Sequence, residues 1–577
     1  MTDRRIDAKW WKSSTIYQIY PSSFMDSNGD GIGDLPGILS KLDYIKSLGV
    51  DAVWISPFYK SPNKDQGYDI SDYQMPDPAY GSMADVEAII KGCHDRDMKI
   101  IFDLVINHTS DQHKWFQESR KSKDNPYRKY YIWKPARYID GERRPPTNWE
   151  ATFGGSAWEW DETTEEYYLH AFVVEQPDLN WEDAEVRQAI YKEAILFWLE
   201  KGIDGFRVDV SSHYSKHEYV DAPIIKPEQY IQPARAKYVD GPRLREYLEE
   251  MQRETFSKYD SVTLAEMSGT RTLENKLDFV GESSKRFSMA ISFDLATVDH
   301  YGREATYLWW KPYDLQEFKK ITEAEQFLSG PNTDGWALTY LENHDQARSI
   351  SRFMNDSPEY RTISGKTLAM YLLTLSGTPI IYQGEEIGMI NMPKSWPEAE
   401  YIDAASWMFI QTVRDDIQKG VKGIAEEEAF ESLQRIARDH ARVPMQWSND
   451  HSAGFSSSAK TWMRVNPSYK AGINVAEEEK DECSVLNFYR RMLAFRKEHS
   501  DSLIFGEYQN LEAETEKTMQ FSKKSFDGET LFVALNFSGE QQKASLPDSK
   551  GELLISSSTH PDQEDILQPY EGRIYRV

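Results

Sequence analysis

The sequence predicts an α/β protein: a (β/α)8 TIM barrel with an inserted subdomain and a C-terminal antiparallel β domain. Three observations lead there. Short β-rich runs alternate with helical segments eight times, one gap between runs is too long for a crossover helix, and the last part of the chain turns to short strands alone. The runs are IYQIY at Ile16, DAVWIS at Asp51, KIIFDLVI at Lys99, GFRVDV at Gly205, VTLAE at Val262, AISF at Ala290, WALTYLENHD at Trp336 and PIIYQGEE at Pro379. Between the first two, Ile38, Leu42, Ile45 and Leu48 recur at helical spacing before Gly49, a helix stop. Val186, Ile190, Ala194 and Phe197 make a second such face, ended near Gly202 and just ahead of GFRVDV.

The long gap lies between the third run, which ends near Asn107, and the fourth at Gly205. Its first part, Thr109 to Glu182, is rich in Trp, Tyr, Phe and Gly, as in FGGSAWEW from Phe153. It leaves from the carboxyl end of a strand, where barrel enzymes build their sites, so it is expected to wall one side of a pocket. After Asp501, FSKKSF and LFVALNF flank Asp527-Gly528 as a hairpin, with LLIS and GRIYRV beyond them. The expected division is barrel over residues 1–108 and 183–501, insert over 109–182 and β domain over 502–577. No repeat or low-complexity segment interrupts it, and the acidic runs EEEAF and EEEKDE read as solvated faces.

Composition narrows the function. A length of 577 residues with 40% hydrophobic residues, 17 Trp and 33 Tyr supports a large core and leaves aromatics for a site that stacks on sugar rings. A formal charge of -27 argues against nucleic acid or an anionic membrane as partner. No apolar run has the length of a signal peptide or a membrane span, and Cys93 and Cys483 lack metal or disulfide spacing. The expectation is a cytoplasmic monomer acting on a small molecule. The Asn-x-Ser/Thr strings at Asn107 and Asn536 then carry no meaning.

Polar residues at the carboxyl ends of several barrel strands are the strongest catalytic signal in the chain. Asp209 closes the fourth run, and Arg207, two residues earlier, points the same way by strand alternation and holds it ionised. Glu266 closes the fifth run and Asp345 the seventh, within LENHDQ. Three carboxylates facing one pocket suit glycoside cleavage, with Asp209 as nucleophile and Glu266 as acid/base. Crowding is expected to raise the proton affinity of Glu266, while Asp345 would bind sugar hydroxyls and favour ring distortion.

The strings DLVINH, GFRVDV, LAEM and LENHDQ, with QGYDI, FGGSAW, QPDLNW and ARVPMQW in the same order, resemble the α-amylase family of glycoside hydrolases, and most closely its yeast isomaltases and maltases. The resemblance spans nearly the whole chain. It implies a catalytic barrel, an inserted B domain, a C-terminal β domain and an exo-acting enzyme with a blind pocket. It implies the same three catalytic roles for Asp209, Glu266 and Asp345. It further implies that Asp65 and Arg442 grip the far hydroxyls of a terminal glucose and that Tyr68 stacks beneath it. His108, Gln176, Arg207 and His344 would bond hydroxyls or the nucleophile, and Phe153 and Phe172 would line the pocket.

No cofactor is expected for catalysis. DSNGDGIGD, from Asp26, places oxygen side chains at alternate positions around glycines, as in the first half of an EF-hand loop. Gly37 stands where that hand needs its bidentate Glu, which excludes a complete one. The family resemblance suggests instead a compact structural calcium site of Asp26, Asn28, Asp30, the Ile32 carbonyl and Asp34.

Val210, directly after Asp209, bears on specificity. In the resembling family Val there accompanies α-1,6 preference and Thr α-1,4; the two are nearly isosteric, but Val cannot bond an acceptor hydroxyl. Met267 is also isomaltase-like, whereas Ser211, Ala265, Ser268 and Gly269 depart from the yeast pattern. The plain alternative is that Val210 is a strand residue that packs. Two rival functions are a transglycosylating sucrose isomerase and a catalytically dead binding barrel. The isomerases carry an Arg-rich RLDRD segment where this chain reads GREATYLWWKPYDL, and the dead barrels lack the acids this chain keeps. Hydrolysis of short α-glucosides, with α-1,6 preferred and maltose or sucrose tolerated, is the expectation.

Overall fold

The eight apolar runs become eight parallel strands, buried on both faces as the continuous hydrophobic pattern requires. A computed structural model describes residues 9–267, 269, 272–301, 308–420, 425–512, 514–546, 551–559, 561 and 565–577. The barrel strands are β1 (Ile16–Ile19), β2 (Ala52–Ile55), β3 (Lys99–Leu104), β4 (Gly205–Val208), β5 (Val262–Met267), β6 (Met289–Ser292), β7 (Ala337–Thr339) and β8 (Thr378–Tyr382). They close in the order β1-β8-β7-β6-β5-β4-β3-β2.

Alternation along each strand sorts side chains into two cores. Ile16, Trp54, Ile101, Leu264, Met289, Ile291, Leu338 and Ile380 fill the barrel interior, while Val53, Ile100, Phe102, Phe206, Val208 and Ile381 pack outward against the helices. Gly205 sits where strands crowd: a Cβ there would come within 2.2 Å of the Val262 carbonyl oxygen.

The first predicted helical face forms two short helices, Leu35–Ser40 and Leu42–Leu48, the second ended by Gly49 at φ 97. The second face is shifted. A π-helical turn over Tyr191–Leu196 separates Ala184–Ile190 from Phe197–Glu200, and its extra residue per turn rotates the last helical turn about the axis. Trp198 and Leu199 are buried, and Phe197, expected on the buried face, is only half-buried.

Between β3 and β4 lies a three-stranded antiparallel sheet of Trp133–Lys134, Glu166–Leu169 and Trp158–Asp161, with a hairpin of Arg137–Ile139 and Glu142–Arg144. Its aromatic core is completed from outside the insert. Ala222, Ala234 and Tyr238, from the long loop after β4, join Trp149, Trp158 and Leu169 in one cluster. At the other end of the chain, Glu507–Asn510, Thr518–Lys524, Thr530–Asn536, Gly572–Arg576 and Glu552–Ser556 form a five-stranded sheet. The expected hairpin is there: Lys524 pairs with Thr530, and Gly528 takes φ 98 in the turn.

Among the described residues no helix is long and apolar enough to cross a membrane. Cys93 is buried, Cys483 is exposed, and both are free.

Candidate active site

The alternation that buries Ile101 and Leu264 inside the barrel places Asp103, Arg207 and Glu266 one layer higher on β3, β4 and β5. Arg207 Nη1 donates to Asp103 Oδ1 at 2.8 Å and to Asp209 Oδ1 at 2.7 Å, and Nη2 donates to Glu266 Oε2 at 2.5 Å. All four side chains are nearly fully buried. Three carboxylates around one guanidinium leave an excess of negative charge that burial makes expensive. Burial accordingly pushes Asp103 up to about 6 against the pull of Arg207. Burial also drives Asp209 well above the carboxylate range, opposed by Arg207 and reinforced by Glu266. The sequence assigned the raised proton affinity to Glu266. In the structure the push of burial falls on Asp209, and with both carboxylates on one guanidinium the proton belongs to the pair.

Val210 lies past the end of β4, in a turn rather than in the strand, at φ 34, where a β-branched side chain is strained. That conformation aims its N–H at Glu266 Oε2, 3.1 Å away, and leaves its side chain on the pocket wall. Ser211 completes the strap, its N–H and Oγ donating to the Glu266 carbonyl oxygen at 3.1 and 2.7 Å.

Asp345 does not close the seventh strand. β7 ends at Thr339, and Asp345 sits in the loop beyond it, where its N–H donates to Asn343 Oδ1 at 2.7 Å. Two arginines from one later segment hold it: Arg442 Nη2 at 2.8 Å and Arg438 Nε at 2.9 Å from Oδ1. Arg442 Nη1 also pairs with Asp403 at 2.5 Å. Here two cations meet two carboxylates, so charge balances. Burial would raise Asp345, but Arg438, His344 and Arg442 outweigh it and hold the carboxyl well below its ordinary range.

On the opposite wall, Gln176 Nε2 donates to Asp65 Oδ2 at 3.0 Å and to the Tyr68 carbonyl at 3.2 Å, with His108 Nε2 at 3.1 Å. Tyr68 OH meets His344 Nε2 at 2.6 Å, and the two rings stack at 5.4 Å. Burial lowers His108 to about 4 and His344 to about 3, so both rings are neutral near pH 7. Asp65 Oδ1 is buried with no donor facing it. Burial pushes this carboxyl up to about 7.

These walls form a cleft lined by Asp65, Tyr68, His108, Phe153, Phe172, Asp209, Val210, Glu266 and Asp345, all named from sequence. Gln176, Arg207, His344 and Arg442 stand behind that lining, almost wholly buried, and orient the residues that form it. Sequence reasoning missed Asp103, although DLVINH contains it at a strand end. It also missed His213 and Arg438, which border the GFRVDV and ARVPMQW strings, and Asp403 and Arg235, which reach the site from segments whose local sequence carries no signal. Ser268 lies outside the described residues, as does Gly302 to Tyr307 of the GREATYLWWKPYDL segment.

The Asp26 loop folds on its own side chains. Asp26 accepts from the N–H groups of Asn28, Gly29 and Gly31 and from Ser456 Oγ; Asn28 accepts from the Asp30 N–H and Asp30 from the Ile32 N–H. Asp34 caps the Leu35–Ser40 helix through the Gly37 N–H at 2.6 Å. Among the described residues no three His, Cys, Asp or Glu side chains come together as a metal site. The donor set is all oxygen and suits a hard cation once Asn28 and the Ile32 carbonyl are counted. Four donors already fill the acceptor positions of Asp26, so an ion would displace part of that set.

Residues 18–506 match the model of the α-amylase catalytic domain. The chain is 46% identical to an α-glucosidase of Candida albicans, covering 99% of each chain, and 43% identical to an oligo-1,6-glucosidase of Saccharomyces cerevisiae, covering 99% of this chain and 98% of the other. Among solved structures it resembles the trehalulose synthase of Pseudomonas mesoacidophila, with a TM-score of 0.90, 40% identity and 99% of both chains covered. It also resembles a trehalose-6-phosphate hydrolase of Bacillus licheniformis, with a TM-score of 0.89, 39% identity and coverage of 98% of this chain and 99% of the other.

The burial of Asp65 predicts a cost in stability. Near 4 when unfolded and about 7 when folded, this carboxyl binds more protons in the native state between those values, so native stability falls as pH rises from about 4 to 7. Asp65→Asn removes the titration. Its melting temperature is expected to exceed that of the wild type at pH 8, with the gap shrinking toward pH 4. An equal or lower value at pH 8 would refute the assignment.

Proposed function

The chain belongs to the α-amylase family of glycoside hydrolases, and we propose that within it the chain is a retaining, exo-acting α-glucosidase releasing glucose from short α-glucosides. The observation that carries this is Asp209 and Glu266 held by the two terminal nitrogens of the Arg207 guanidinium and in direct interaction with each other. An inverting pair stands far enough apart to admit a water between its carboxyls, and a single guanidinium shared by both acids supports the closer, retaining arrangement.

In the reaction the proton shared by the pair sits on Glu266, which protonates the leaving oxygen while Asp209, ionised in that arrangement, attacks the anomeric carbon. Glu266, then ionised, draws the proton from the water that releases glucose. The strained Val210 N–H and Arg207 together fix the Glu266 carboxyl for both steps. Asp345, kept ionised by Arg438 and Arg442, faces the same cleft and supplies negative charge to an oxocarbenium-like transition state. Among the described residues Asp65 Oδ1 has no hydrogen-bond partner and is an acceptor open to a hydroxyl, and Arg442 spends three of its five N–H groups on protein. Both support a grip on the far hydroxyls of glucose, with Tyr68 on the floor and Phe153 and Phe172 at the wall.

Preference for α-1,6 links rests on Val210, whose methyl groups face the cleft beside Glu266 and offer a leaving sugar no hydrogen bond. Identity does not separate the linkages, since α-glucosidases and oligo-1,6-glucosidases of Saccharomyces cerevisiae stand at 42% and 43%. Likeness to a trehalulose synthase keeps glucosyl transfer as a second reading. The Asp26 loop is proposed to hold a structural calcium ion through Asp26, Asn28, Asp30, Asp34 and the Ile32 carbonyl, supported by its all-oxygen donors. Cytoplasmic residence and a monomeric state are proposed as well; the two free cysteines support the former.

Isomaltose is expected to be cleaved faster than maltose, with α-glucose as first product; β-glucose would overturn retention, and faster maltose cleavage would overturn the role of Val210. Asp209→Asn and Glu266→Gln should each lose at least about 1,000-fold in kcat on either sugar at unchanged melting temperature, and near-normal rates would sink the mechanism. For calcium, EDTA should lower the melting temperature and added calcium restore it; identical melting curves would remove the ion from the account.

A further inference from the structure

Four arginines stand in or behind the cleft, and three are committed. Arg207 serves Asp103, Asp209 and Glu266, while Arg438 and Arg442 serve Asp345 and Asp403. Arg235, half-buried on the cleft wall, makes no ion pair or hydrogen bond through its side chain among the described residues. It projects from a short helix, Arg235–Tyr238, in the long loop after β4. Its neighbours Ala234 and Tyr238 are buried in the aromatic core of the insert and fix that helix in place. Its guanidinium lies over Gly269, three residues after Glu266. That glycine takes φ 80, and a Cβ built on it would contact Arg235 Nη2 at 3.5 Å. A backbone conformation that demands glycine therefore also leaves the acid's side of the cleft open to the arginine.

We propose that Arg235 is a specificity-determining residue for the leaving sugar, its planar fork donating to neighbouring hydroxyls of the unit released when Glu266 protonates the glycosidic oxygen. The inference rests on the α-glucosidase reading. In a retaining enzyme the acid stands beside the leaving oxygen, so a side chain lying over the segment just after the acid meets the leaving group, not the glucose held between Asp65 and Arg442. Among the described residues, one free cation beside the cleft carboxylates Asp65, Asp209, Glu266 and Asp345 suits a neutral polyol better than an anion, which would need several cations to outweigh that field. The same fork would also seat an acceptor sugar during transfer, since transfer runs the first step in reverse.

Wild type, Arg235→Ala and Arg235→Lys are to be compared on isomaltose, maltose and α-glucosyl fluoride, the last having fluoride instead of a sugar as leaving group. For Arg235→Ala, kcat/KM on both disaccharides should fall about 10- to 100-fold. Rates and pH profile on the fluoride should stay within about twofold of wild type. Arg235→Lys should recover part of the loss, and the share of glucosyl groups transferred to added glucose should drop in Arg235→Ala. Equal losses on fluoride and disaccharides, or a shifted pH profile on the fluoride, would mean that Arg235 acts through Glu266 or the fold and would overturn the assignment. Unchanged disaccharide rates would overturn it too. A wild-type chain inert on all three substrates would bring down the glucosidase reading itself, and this inference with it.

Discussion

One guanidinium inside the barrel organises this protein. Arg207 is buried on β4 and bonds carboxylates from β3, from its own strand end and from β5. Such a group is costly to bury and far more costly to leave unpaired, so the three strands must present their acids in register for the barrel to close with its charge satisfied. Folding and catalytic geometry are thus one constraint. The residual negative charge is not cancelled, and it is what raises the proton affinity of Asp103 and Asp209. A bound substrate developing positive charge at its anomeric carbon would relieve it.

The second charge cluster solves a different problem. Arg438 and Arg442 balance Asp345 and Asp403, so Asp345 stays ionised although little of it reaches solvent. Asp103 and Asp209 therefore differ in proton affinity from Asp345, because three carboxylates share Arg207 whereas two arginines serve Asp345 and Asp403. On the proposed mechanism, that difference would let one cleft keep a proton for a leaving group while holding a fixed negative charge for the transition state.

Around these clusters the wall is built from segments that cannot fold alone. The insert has too little sheet to bury Trp149 and Trp158, and the loop after β4 supplies the missing apolar surface. The wall and the loop carrying Arg235 are consequently one packing unit, and the shape of that side of the cleft depends on both. Val210 shows a related coupling: its strained φ is held because its N–H and the Ser211 strap both close on Glu266.

Much of this was legible in the residues. All eight barrel strands coincide with apolar runs, because strands buried on both faces leave a continuous hydrophobic record, and the acids at the ends of β4 and β5 stand out against it. Asp65, Tyr68, His108, Phe153 and Phe172, named from the family resemblance, line the cleft. What the sequence by itself determined was local: which runs are strands, which carboxylates crown them and which turn demands a glycine. Tertiary structure alone decided the rest. It placed Asp345 in a loop rather than at a strand end, moved the buried helical face from Phe197 to Trp198 through a π turn, and left Arg235 the one unspent arginine of the cleft among the described residues. Each of these depends on what distant segments bring to the same few ångströms, and charge balance and packing at that range leave no periodic trace along the chain.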